Sequence, residues 1–444
     1  MSFPILAFVQ AGLLLAALFW FVKRNDEVPL IVSAFLTYCS SYRYWAVMMG
    51  FNEWMQPDML GLSGVTDESA LEALGHIVFG QFVLLAAYMG AQRKTIPVAR
   101  PVEDPEFLNW LRPKVLVLGA LCLPLVVLSR SSVASQAAAG RVAAFEISGS
   151  TQLFPLILIG VLTIVACLWR FGALDTQYTR LVAGVIFAGV FYLSFNISGR
   201  FQFLGWLFSL SIIVSSKYAF RKKAAALLVL VLVAGAMFGV AGALRKPAGV
   251  EDEETLAQGA VARVFSAEDA NMLDGFVLVR EVYPERLEYG WGWEHLQILL
   301  RPVPRAWWPD KPAGGYVNKL GLYQGEGTIG FSPTLVGSFY EEGGLLGIFV
   351  LAVVYGLGLG ALVSYSARVR PFAGVMIRAA VCASLIPLLR GGDLPGIYAW
   401  IGMAFWPCAF VIWVKRKHLI RKAPPRAVGR ATLKEQYGRA GLVN

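Results

Sequence analysis

The densest concentration of groups able to do chemistry lies in residues 301–344. They read RPVPRAWWPDKP, then a glycine-rich passage, then GFSPTLVGSFYEEGG. Four prolines between Pro302 and Pro312 remove amide donors and fix φ, which excludes a regular helix there. What remains is a stiff, extended loop displaying Arg301, Arg305, Asp310 and Lys311 beside Trp307 and Trp308. Arginine suits phosphate because its planar fork offers paired donors and stays charged when partly dehydrated. Arg200 and Arg390 extend the set, each next to a glycine, Gly199 and Gly391. Carboxylates that would accept a proton from an attacking hydroxyl are Asp310, Glu326, Glu341, Glu342 and Asp393. Arg and Trp also gather at lipid headgroups as anchors, which is the competing reading of the stretch.

Other chemistries have no residues to carry them. The five cysteines all fall in apolar runs with no CxxC, and read as small hydrophobes. Of the three histidines only His295 lies in the long polar segment, and a lone histidine reads as packing. No metal site is expected. There is no nucleotide-binding glycine pattern, no Walker motif and no Ser/His/Asp arrangement, so no cofactor is expected. A sugar donor used here would have to be lipid-linked.

The elements that must position these residues are membrane helices. Hydrophobic residues make up 57% of the 444 and charged ones 15%, and the apolar residues come in long blocks. That pattern places the chain in the polytopic membrane class. The net charge of +10 is concentrated in alternate loops and in the tail, which suits membrane orientation and anionic lipid rather than nucleic acid. The expected architecture is an all-α membrane protein with about 11 transmembrane helices, the N-terminus outside and the C-terminus inside. Residues 1–244 hold the first eight spans and 245–344 form one large outer loop. Residues 345–414 hold the last three spans, and 415–444 are a basic cytoplasmic tail. Within this plan the fourth span, 115–128, is short and contains Pro124, and the loop at 129–152 lies on the membrane surface. In the outer loop a helix begins near Ser266 with apolar positions Met272, Leu273, Phe276, Val279 and Val282, closed by Pro284. It lies on the membrane surface or packs under the loop's own small core. Arg43, Arg200, Arg301, Arg305, Lys311 and Arg390 then share the outer face. There they would hold a lipid-linked diphosphate and stabilise the charge left when a sugar departs. Arg378 falls inside the tenth span, where a structural pairing and a functional role are both open.

The residues resemble a known family. PRAWWPDKP at 304–312 and GFSPTLVGSFYEEGGLLG at 330–347 look like the Wzy-type O-antigen (oligosaccharide repeat-unit) polymerases. In that family a Pro-Arg…Trp-Pro-x-Lys-Pro stretch precedes a Thr/Pro-containing passage, then Gly-acid-aromatic…Gly-x-x-Gly ahead of a late span. Ser198-Gly199-Arg200 resembles the Ser/Gly-Arg element at an outer span end in these polymerases and in O-antigen ligases. The motifs cover about a tenth of the chain. The pattern departs after Gly337, where an acid is expected and Ser338 stands. The resemblance implies a GT-C-type glycosyltransferase of the bacterial inner membrane. It would join undecaprenyl-diphosphate-linked repeat units on the periplasmic side without nucleotide sugar or metal. Arg305, Asp310, Glu341 and Glu342 would be catalytic, and Arg200, Arg301, Lys311, Trp307, Trp308 and Arg390 would bind substrate. The implied partners are the lipid-linked oligosaccharide and membrane lipid, with a chain-length regulator and a flippase as further candidates. An O-antigen ligase and a non-enzymatic transporter or flippase for lipid-linked sugars remain as alternatives.

Overall fold

The computed structural model describes residues 2–56, 62–92, 105–139, 149–194, 200–218, 220–243, 271–300, 307–308 and 332–416. In chain order the helices are α1 (Phe3–Arg24), α2 (Val28–Thr37), a π-helical turn (Tyr38–Tyr42) and α3 (Arg43–Met48). Then come α4 (Asp67–Gln92), α5 (Pro105–Ala139), α6 (Gly149–Arg170), α7 (Gln177–Ser194), α8 (Arg200–Ser215) and α9 (Phe220–Ala243). The last five are α10 (Met272–Val282), α11 (Trp293–Leu300), α12 (Thr334–Arg368), α13 (Pro371–Arg390) and α14 (Leu394–Val414). No strand occurs among the described residues, and Thr334 and Gly391 are joined by an isolated β-bridge.

Six of these helices have the length and apolar content to cross a membrane: α1, α4, the Pro105–Leu125 part of α5, α12, α13 and α14. The described residues thus give six candidate crossings where the sequence suggests about eleven spans. The reasons are local. The expected second span, 28–47, is divided by the π-helical turn. Leu156–Arg170, Gln177–Phe191 and Gly205–Ser215 are shorter apolar stretches within α6, α7 and α8, helices of 22, 18 and 16 residues. The expected fourth span is neither short nor broken. It lies within the continuous 35-residue α5, which contains Pro113 and Pro124 and takes in the beginning of the supposed surface loop.

Two large apolar cores hold the helices. One joins α2, α4, α10 and α12 through residues such as Leu36, Leu74, Ile77, Phe276 and Phe339. The other joins α5, α6, α8 and α13 through Leu116, Leu162, Trp206 and Phe372. Helices α4 and α12 approach until side chains at Gly356 and Gly360 would strike the Leu84 and Tyr88 carbonyls, the small-residue contact typical of packed membrane helices. Helix α10 is no surface helix. It runs from Met272, Ser266 lying outside the described residues, and all but two of its residues are buried between α4 and the start of α12.

Several charged and polar groups inside the bundle are paired. At the end of the molecule where α1 turns into α2, Lys223 Nζ sits 2.8 Å from Glu27 Oε2. Arg378 reaches Asp26 at 3.4 Å and Glu27 at 3.5 Å. Tyr88 donates to Asp26 Oδ2 at 2.8 Å, so α4, α9 and α13 are stitched to the α1–α2 link through one ionic knot. Arg378 therefore has the structural pairing. Farther along α1, Gln10 bonds Ser40, Ser41 and Gln81, which draws the π-helical turn against α1 and α4.

Candidate functional site: a glycine elbow and its polar chain

The passage GFSPTLVGSFYEEGG forms the first arm of α12, Thr334 to Glu342, which ends at Gly343 and Gly344. Gly344 takes φ 61° and ψ −140°, a conformation that side-chain-bearing residues rarely enter. The chain therefore turns an elbow before the spanning arm begins at Leu345. The first arm packs back on the second. Phe339 and Tyr355 rings are 4.8 Å apart, and Gly80 of α4 makes room for both Val336 and Ile348. The break frees helical carbonyls, and the chain ahead of α11 supplies their donors. Gly290 N–H donates to the Glu341 carbonyl at 2.9 Å and Trp291 N–H to that of Glu342 at 2.8 Å.

Thr334, Ser338 and Glu342 recur every four residues and so line one side of the short arm. The first two hold the turn after α13, and the third holds the start of α11. Thr334 pairs with Gly391, where an added Cβ would collide with the Thr334 carbonyl and φ is 71°. Ser338 Oγ accepts from Gly392 N–H at 2.9 Å. Glu342 Oε2 accepts from Gly292 N–H at 2.6 Å, and Oε1 from His295 N–H at 3.2 Å. A carboxylate at that position satisfies the orphan donors and the positive dipole at the N-terminus of α11. The turn Arg390-Gly391-Gly392-Asp393 is thereby fixed beside the elbow arm.

From Glu342 a chain of polar side chains continues. Its Oε1 lies 2.7 Å from His295 Nδ1, and His295 Nε2 lies 3.0 Å from the Tyr355 hydroxyl. The Tyr355 ring in turn stands edge-on to that of Tyr398, with 6.4 Å between centroids. Glu342 takes Nδ1–H as a third donor, which leaves Nε2 to accept from Tyr355. A carboxylate, an imidazole and a phenol in series can move a proton along their length. The His295 side chain keeps 25% of its surface exposed, so this chain is reachable.

Of the candidate residues, Glu341 and Glu342 stand at the elbow, both buried, and Arg390 is half-buried in the turn held by the other end of the short arm. Trp307 is 81% exposed and Trp308 partly so. Arg200 opens α8. Arg301, Arg305, Asp310, Lys311 and Glu326 lie outside the described residues. Two expectations are corrected. Arg43 is not offered to a ligand: it is buried, with Nε 3.1 Å and Nη2 2.8 Å from the Asp274 carboxylate and Nη2 donating to the Glu53 carbonyl at 2.7 Å. Asp393 is a helix cap, its Oδ1 accepting from Gly396 N–H at 3.0 Å. Ser338, standing where the resemblance leads one to expect an acid, is occupied in holding Gly392.

Sequence reasoning passed over His295, Tyr355 and Tyr398. The available signal was faint: His295 is the one histidine of the polar segment, and Gly343-Gly344 marks a break that could carry a partner to it. No group of metal-ligating side chains occurs among the described residues. No protein-family model, curated protein or solved structure matches this chain.

Proposed function

We propose that this chain is a membrane glycosyltransferase that polymerises undecaprenyl-diphosphate-linked oligosaccharide repeat units, of O-antigen, capsule or exopolysaccharide type. In this reading it sits in a bacterial inner membrane in a GT-C-like arrangement of about 11 crossings, with the elbow end toward the periplasm. The observation that supports it is the elbow. In the passage carrying the resemblance, residues 332–347 form a short helix and glycine turn that hold the Arg390 turn at one end and carry two buried glutamates at the other. Residues that merely anchored a loop to headgroups would not need that construction.

The chemistry asked of the site is cationic. A departing lipid diphosphate is already a stable anion, so the transition state gains most from preorganised positive charge. Arg390 in that turn, together with Arg200, Arg301, Arg305 and Lys311, is assigned to that diphosphate, and Trp307 and Trp308 to the substrate's sugar or lipid. The test supplies purified protein with lipid-linked repeat unit alone. A ladder of lengthened lipid-linked glycan supports polymerisation. Transfer only when lipid A core is added supports a ligase. Movement of the lipid across vesicles with no new glycosidic bond supports a transporter.

A further inference from the structure

We propose that His295 is the terminal proton acceptor for the attacking sugar hydroxyl, reached through Tyr355, with Glu342 as the residue that positions it. This inference rests on the glycosyl-transfer reading, and it moves Glu342 from proton acceptor to support.

Glu342 is poorly placed to be the base itself. Its side chain is 2% exposed, and its two oxygens already accept from Gly292 N–H, His295 N–H and His295 Nδ1. Three of their lone pairs are therefore already committed. The same contacts make it a good support, since they fix both the ring and the tautomer of His295. The basic nitrogen left over is Nε2, and it faces the Tyr355 hydroxyl at 3.0 Å. The Tyr355 ring also stands edge-on to that of Tyr398, on α14. Tyr398 stands five residues beyond Asp393, which lies in the turn whose neighbour Arg390 is assigned to the diphosphate. The short arm thus holds His295 through Glu342 at one end and the turn after Arg390 through Ser338 one turn back.

The step balances without a metal or redox partner. The acceptor hydroxyl oxygen forms a bond to the donor's anomeric carbon as the bond from that carbon to the diphosphate oxygen breaks. The hydroxyl proton passes to the Tyr355 oxygen while Tyr355 gives its own proton to His295 Nε2. The diphosphate leaves with the bonding electron pair, and the imidazolium formed is stabilised by the Glu342 carboxylate. Loss of the proton to water resets the site.

The competing explanation is that Glu342 only caps α11 and His295 only fills space. It is separated by single-turnover kinetics on the full chain in lipid nanodiscs, with lipid-linked repeat unit as substrate. Tyr355→Phe keeps the ring and its packing on Phe339 but removes the shuttle. It should lower the chemical rate by about 100-fold or more, as should His295→Gln, with KM for the lipid-linked donor within about threefold. His295→Ala should regain rate on addition of imidazole, whereas Tyr355→Phe should not. A Tyr355→Phe rate within threefold of wild type, or a His295 loss that appears in KM rather than in the rate, overturns the inference while leaving polymerisation standing. A wild-type protein that makes no polymer overturns the glycosyl-transfer reading and this inference with it.

Discussion

At the scale of single residues, Arg390 is the test of whether charge or geometry serves the diphosphate. Lysine carries the charge without the planar fork. If the fork matters, Arg390→Lys should be nearly as poor as Arg390→Ala. The expected loss is about 2–4 kcal/mol of transition-state stabilisation. That is roughly a 30- to 1,000-fold drop in rate, measured as polymer formed per mole of protein. Arg305→Ala is expected to abolish polymer while leaving insertion intact, and near-normal polymer would return the proline-rich stretch to an anchoring role. Arg390 and Glu342 were legible in the sequence because each adjoins a glycine pair that announces irregular backbone. His295 was not, because its partners stand 47 and 60 residues away and only the elbow brings them to it. Arg43 was misread for a related reason. An arginine at the end of a span looks the same in sequence whether it faces a headgroup or, as here, an aspartate 231 residues on.

At the scale of elements, the elbow and the α10 bolt are the parts whose failure should be most informative. Gly344→Ala places a side chain at φ 61° and sets its Cβ 2.9 Å from the Tyr289 hydroxyl. The backbone cost is on the order of 1–3 kcal/mol. A lower thermal midpoint and reduced polymer are expected, whereas Gly358→Ala, with open space around it on the same helix, should do neither. Helix α10 is bolted down by the Arg43–Asp274 pair, with side chains 3% and 0% exposed. Removing one partner strands a buried charge, so Asp274→Asn should cost about 3–5 kcal/mol, read as loss of detergent-solubilised protein on heating. Pairing Arg43→Met with Asp274→Leu should recover much of that loss, because two apolar side chains leave no charge to satisfy. The apolar periodicity of α10 was visible in the sequence. Its buried setting was not, because a stripe at helical spacing fits a membrane surface and a protein core equally well. Spans fared unevenly for a similar reason: hydropathy reports apolar length, but not the π-helical turn that splits 28–47.

At the scale of the whole molecule, the ionic knot and the charge pattern of the loops decide orientation and acid tolerance. Burial alone would raise the Glu27 carboxyl, but Arg378 and Lys223 outweigh it and hold its pKa below the ordinary 4.5. A carboxyl depressed in the folded state contributes stability that is fully present above its unfolded value and is lost as pH falls through its folded one. Thermal stability should therefore decline as pH drops below 4.5, and Glu27→Gln should flatten that acid limb. Reporters fused after Lys222 and at the C-terminus should read cytoplasm, and one inserted at Gln258 periplasm. The same side for Lys222 and Gln258 would undo the placement of the elbow end outside. Polymerisation itself is tested most directly by incubating the purified protein with lipid-linked repeat unit and no other enzyme, and resolving the glycans by length. A ladder of lipid-linked products, absent with Arg390→Ala protein present in equal amount, is the expected result. Repeat units that stay single with the wild-type protein, or a ladder that persists undiminished with Arg390→Ala, would contradict it.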